Sequence, residues 1–152
     1  SGLVGSEMCI RDRNIPALRE KFGDRAVLRS LHFFGDSERV GKQAAALKAH
    51  DFKKFLSLIN ESGNSSYKYL QNIYASSAPQ EQGLSMALYL ASEILGGEGA
   101  CRVHGGGFAG TIQAFVPEDK LPQFRQTMES VFGEGSCYVL SIRPFGGTEV
   151  SL

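Results

Sequence analysis

Gly96–Gly110, GGEGACRVHGGGFAG, packs seven of the chain's 18 glycines into fifteen residues. Strand-like sequence lies within it and after it. ACRVH (100–104) precedes the triple glycine, and TIQAFVP (111–117) comes after the stretch, with Ile112, Ala114 and Val116 alternating with Thr111, Gln113 and Phe115. Period-two alternation of this kind predicts a strand half buried in a sheet. Two strands joined by so short a connection are antiparallel if they pair. Glycines between them suit a tight turn or a close backbone approach, because they carry no Cβ and accept positive φ.

Working back from this stretch, Leu84, Leu88, Ala91 and Leu95 form a helical stripe. That helix is predicted to start near Pro79, where Ser77 and Gln80 have capping-box spacing, and to stop at Gly96 and Gly97. Tyr67, Leu70 and Tyr74 read as a resumed helix after a break near Gly63. Phe52, Phe55, Leu56 and Ile59 give a helix capped by Asp51. Val40, Ala44 and Leu47 give another, with Asp36 or Ser37 as its cap and an end near His50. These two form a helical hairpin. Asn14–Leu31 shows weaker periodicity and reads as short helical turns.

Working forward, Pro117 ends the second strand. Glu118 and Asp119 favour a helix N-terminus, Leu121, Phe124, Met128 and Val131 supply its apolar face, and Gly133 ends it. SCYVLSI (136–142) reads as a further strand, and the tail RPFGGTEVSL as a candidate edge strand. Helices followed by β-β-α-β indicate an α+β fold, an antiparallel sheet packed against a helical layer.

The chain has 152 residues, one domain's worth, with 16 basic and 16 acidic side chains. That balance points to neither nucleic acid nor an anionic membrane as a partner. No apolar run is long enough to span a bilayer, and no signal peptide is visible. Cys9, Cys101 and Cys137 form no CxxC pair, so they indicate neither a disulfide framework nor a zinc site. Buried thiols and a reducing cytoplasm are the expectation. Residues 1–13, SGLVGSEMCIRDR, resemble the peptide that translated sequencing-adapter DNA yields. They are expected to be an artefactual, disordered leader, with the domain spanning 14–152.

The glycines resemble two phosphate loops superficially. A Walker loop needs Lys after its last glycine, and this stretch has none there. Gly105, Gly107 and Gly110 spell GxGxxG, but that fingerprint must open a helix, and here a strand comes next. A tight hairpin loop without a ligand is the remaining reading from spacing alone.

GACRVHGGGFAGTIQAFVP resembles the third, C-terminal motif of the GHMP kinases, whose galactokinase members carry ARxxGGGFGG before a strand. Ala100, Arg102 (one place later than the family's Ala-Arg pair), Gly105, Gly106, Gly107, Phe108 and Gly110 carry the match. Ala109 stands where Gly is commoner and His104 where Thr is commoner. The run RSLHFFGDSERVGKQAAALKAHDFKKFLSLINESGNSSYKYL and the tail SIRPFGG are similar to the same family, so the likeness covers about residues 27–147. It implies a GHMP-kinase C-terminal domain from an ATP-dependent enzyme that phosphorylates galactose at C1.

By that resemblance the sugar-binding segment, the serine-rich phosphate loop, the catalytic Asp and the Mg²⁺ ligands lie in an N-terminal part that this sequence lacks. ATP and Mg²⁺ would be held mainly there, and this part alone would be inactive. Gly105, Gly106, Gly107 and Gly110 are expected to support the nucleotide phosphates. Arg102 and His104 are candidates for the substrate cleft, with a solvated or ion-paired side chain as the ordinary alternative for Arg102. Ser62, Asn64, Ser65 and Ser66 either face the active site or cap a helix break, while Asp36, Glu38, Asp51, Glu118 and Asp119 read as caps. None of these is a catalytic base, and no residue here is expected to bind metal. An exposed apolar patch is expected where the other domain would sit. The alternatives are a non-catalytic α+β binding or interaction module, and another GHMP small-molecule kinase of homoserine or mevalonate type.

Overall fold

The computed structural model describes residues 14–108 and 110–142. The leader 1–13, Ala109 and the tail 143–152 lie outside the described residues, and with them the leader and edge-strand expectations. Residues 14–22 form α1. Then come α2 (Asp24–Lys48), α3 (Phe52–Ser65), a π turn (Ser66–Leu70), α4 (Gly83–Leu95), β1 (Ala100–His104), β2 (Thr111–Phe115) and α5 (Leu121–Phe132). The fold is α+β, with a two-stranded antiparallel sheet among the described residues.

α2 is one helix of 25 residues rather than short turns followed by a capped helix. Gly35, Asp36 and Ser37 lie in its interior. The cap reading of Asp36 and Ser37 therefore fails: Ser37 bonds back to Phe33 O at 2.9 Å, and Asp36 is held by the side chains of Arg39 and Ser62. The stripe Val40, Ala44, Leu47 faces outward, with Val40 60% exposed. The buried face of α2 is instead Val27, His32 and Ala46. Asp51 caps α3 by accepting Lys54 N–H at 2.9 Å.

α3 does not break at Gly63. A Cβ there would stand 3.0 Å from Arg102 Cβ and from Cys101 O, so this glycine lets α3 lie directly on β1. The helix then widens into the π turn, closed by Gln71 N–H to Ser66 O at 2.8 Å, and stops at Gln71 with φ 56°. α4 begins at Gly83, four residues after Pro79, so the predicted capping box is unused. It ends at Gly96, as expected.

The register pairs Cys101 with Ala114 and Val103 with Ile112 on one sheet face. Those residues meet α4 and α5 through two apolar clusters, Ile73–Leu84–Val103 and Ala91–Phe124–Met128. The other face carries Ala100, Arg102 and Phe115 toward α3, where Phe115 meets Phe55 edge-on at 5.4 Å between centroids. Asn60 of α3 fixes the outer edge of β1, accepting Cys101 N–H at 3.0 Å and donating to Gly99 O at 3.1 Å.

α5 starts at Leu121, with Lys120 rather than Glu118 or Asp119 at its N-cap. Residues 136–142 are not a strand. Leu140 and Ile142 are 86% and 87% exposed, with no strand beside them to complete a ladder among the described residues. Cys137 still packs against the second apolar cluster. It and Cys101 are free, half-buried thiols rather than buried ones. No helix among the described residues is long and apolar enough to cross a membrane.

Gly99 and Gly41 make a matched test of close approach. A Cβ at Gly99 would lie 2.3 Å from Phe115 O and 2.6 Å from Leu95 Cδ2, whereas at Gly41 it meets nothing within 4 Å. Gly99→Ala is expected to destabilise the chain by about 2 kcal/mol through overpacking. Gly41→Ala should stabilise α2 by about 0.5–1 kcal/mol. Urea unfolding of both variants checks the opposite signs.

Candidate functional site

The glycine loop is set by its backbone. Gly105 (φ 63°), Gly107 (φ 78°) and Phe108 (φ 60°) are all left-handed. For Phe108 that conformation costs about 1 kcal/mol, and its N–H is held by Asn72 O at 2.8 Å. A Cβ at Gly107 would fall 2.0 Å from the same carbonyl oxygen, so only glycine fits there. At Gly105 and Gly106 a Cβ would meet nothing within 4 Å. Gly110 begins the return into β2, and the phenyl ring of Phe108 is exposed. The loop leads into β2 rather than into a helix.

A second polar assembly lies beneath β1. Ser62, fully buried on α3, donates to Asp36 Oδ1 of α2 at 2.6 Å. Arg39 Nη1 donates to the same oxygen at 2.6 Å, and Arg102 Nη1 of β1 donates to Ser62 Oγ at 2.5 Å. Arg102 Nη1 is 3.9 Å from Asp36 Oδ2, and Arg102 Nε donates to Val103 O at 3.1 Å. Arg39 Nε is 3.8 Å from Glu61. One turn away on each helix, His32 Nδ1 and Ser65 Oγ are 2.9 Å apart, both buried.

Burial pushes the Asp36 carboxyl up, but the bonds from Ser62 and Arg39 and the charge of Arg102 outweigh it, holding it below the usual carboxylate range. His32 is pushed down, chiefly by burial and further by Arg39 and Arg102, against the pull of Asp36. Burial also raises the Cys101 thiol, 3.6 Å from Ser92 Oγ.

A cleft of about 370 Å³ opens between α3, the end of α4 and β1. Asn64, Tyr67, Ser92, Cys101 and Arg102 line it. Of the candidate residues, the glycines and His104 are neighbours, with His104 exposed at the end of β1. Arg102 is turned under the sheet toward Ser62. Ser62 and Ser65 are interhelical contacts rather than caps, and Asn64 is exposed at the cleft. Sequence reasoning missed His32, the true role of Asp36, and Asn72. The spacing His32–Asp36–Arg39, one helical face in a polar run, was the available signal.

These shifts set the pH dependence of stability. Unfolded His32 takes a proton as pH drops below about 6.5, while the buried ring resists it, so stability declines from there toward its folded value. Asp36 contributes stability above about pH 3.9, which is lost as pH falls through its depressed folded value. Melting temperature should therefore fall between pH 7 and 5. His32→Asn, which keeps a polar atom near Ser65 but does not titrate, should flatten that fall. Parallel curves for the two proteins in thermal melts monitored by circular dichroism would remove His32 as the titrating group.

No family model matches the chain. No solved structure matches it. The chain is similar to the galactokinase of Glaesserella parasuis serovar 5 (strain SH0165), at 29% identity over 107 residues. That alignment covers 70% of this chain and 26% of the relative, so the chain spans 26% of that relative's length. The relationship this supports is galactokinase-like.

Proposed function

We propose that the chain is the C-terminal part of an ATP-dependent galactokinase whose full-length form phosphorylates the C1 hydroxyl of galactose. In this reading Gly105, Gly106, Gly107 and Gly110 support the nucleotide phosphates, and His104 stands beside them toward the substrate. The observation that carries it is a loop strained at Phe108 and pinned at Gly107, yet open at Gly105 and Gly106. Non-glycine residues held in left-handed conformations cluster at functional sites. The likeness to a galactokinase supports the same conclusion.

The residues present fit part of the Mg²⁺·ATP requirement. The bare backbone at Gly105 and Gly106 leaves room for a phosphate or a neighbouring loop to approach closely. Among the described residues no group of three His, Cys, Asp or Glu side chains is placed to hold a metal ion. Mg²⁺ would be held by the remainder of the longer protein, along with most of the ATP and the galactose. When bound, Mg²⁺·ATP supplies the transferred phosphoryl group and neutralises its charge. The contribution of this chain is positioning, since phosphoryl transfer depends mainly on alignment and preorganised dipoles. Arg102 serves the scaffold by holding β1 to α2 and α3. The exposed apolar side chains on α2 and in residues 136–142 are the surfaces a longer protein would cover.

Gly106 separates function from folding, because its φ lies outside the left-handed region and its Cβ direction is empty. In the full-length protein that carries these residues, Gly106→Val should leave the melting temperature within about 2 °C. It should lower kcat/KM for ATP by about a hundredfold, the size of losing one preorganised contact to the transition state. Phosphorylation of galactose at the parent rate would overturn the assignment of the loop.

A further inference from the structure

Asn72 is 2% exposed and meets the glycine loop at three places. Its carbonyl accepts Phe108 N–H at 2.8 Å, its Nδ2 donates to Gly106 O at 3.4 Å, and both groups leave no room for a Cβ at Gly107. Its Oδ1 is buried with no hydrogen-bond partner among the described residues. An uncompensated buried acceptor is itself unfavourable. Asn72 is delivered to this position by the π turn and the left-handed Gln71, and Arg29 of α2 anchors the nearby carbonyl, Leu70 O, at 3.1 Å.

We propose that Asn72 is the positioning residue of the glycine loop, and that by fixing where Gly106 and Gly107 stand it sets the affinity for a nucleoside triphosphate. The second half rests on the galactokinase reading; the first does not. Two parts of the residue act differently. The backbone carbonyl anchors Phe108 whatever the side chain. The amide group alone holds Gly106, so a side-chain substitution shifts one end of the loop and leaves the other fixed.

Asn72→Leu distinguishes positioning from general structure. It keeps the number and branching of the side-chain heavy atoms, removes the bond to Gly106 and removes the unpartnered Oδ1. In the 152-residue chain its melting temperature should stay within about 2 °C of the parent or rise. Backbone amides at Gly106 and Gly107 should exchange about fivefold faster, the factor one hydrogen bond contributes to local opening, with α4 and α5 unchanged. Asn72→Asp, which places an anion against Gly106 O, should accelerate the same amides at least as much. Unchanged loop exchange in both variants, or equal acceleration in loop and helices, overturns the positioning role. In the full-length protein, Asn72→Leu should raise KM for Mg²⁺·ATP about fivefold with kcat within about twofold, the split expected for uniform binding. Faster loop exchange with an unchanged KM would leave Asn72 as the loop's anchor and overturn its role in affinity, whereas parent activity in Gly106→Val overturns the nucleotide assignment of the loop itself.

Discussion

Ser62 is the point at which the helical layer and the sheet are joined. Its hydroxyl donates to Asp36 of α2 and accepts from Arg102 of β1, while its backbone belongs to α3. Three elements therefore converge on one oxygen with no solvent access. The buried apolar side chains of these two helices are few, Val27 and Ala46 on α2 and Leu58 and Ile59 on α3. Half-buried ion pairs add little net stability, because desolvation offsets much of the attraction. What they supply is orientation: α2 cannot rotate or slide on α3 without separating Asp36 from Ser62. Removing one partner would be costly, since the polar and charged groups left behind would remain largely out of water.

The glycine loop depends on this junction through a chain of neighbours. Gly63, one residue on, seats α3 against Arg102 and thereby fixes the height of β1. On the opposite face, Val103 and Ile112 lock the hairpin to Leu84, Leu88 and Ile73. Ile73 adjoins Asn72, so the segment that packs the core also carries the residue that touches the loop. At the far end of α4, Lys120 donates to Leu95 O at 2.7 Å and pairs with Glu98 at 3.0 Å, closing the turn that leads into β1.

Much of the hairpin and its flanks could be read from the sequence, because the signals there are local. Alternation in 111–116, the glycine stop at Gly96, the Asp51 cap and the end at Gly133 all depend on residues within a few positions of each other. The failures share the opposite cause. Asp36 and Ser37 look like a cap until Ser62, 26 residues away, is known to satisfy Asp36. Gly63 looks like a helix breaker until Arg102 occupies the space it leaves. Residues 136–142 have strand composition, but a strand needs a neighbour, and composition cannot supply one. The site divides the same way. Its glycines are visible as a cluster, whereas Asn72 lies 34 residues before Gly106 in a stretch with no repeating pattern.

The π turn has a geometric consequence of its own. Each residue added to a helix rotates the succeeding chain by about 100°, and a π turn accommodates one residue more than an α turn does. Up to Ser65 the inward positions are set by α3. Within the turn Tyr67 and Tyr69 are exposed, and after the left-handed Gln71 ends it Asn72 and Ile73 are buried. The segment between Ser62 and Asn72 thus works as a phase converter, matching the helix that reads Asp36 to the loop that reads Gly106. Its length is therefore constrained: a single deletion there would heal the helix into regular α form and still direct Asn72 away from the loop.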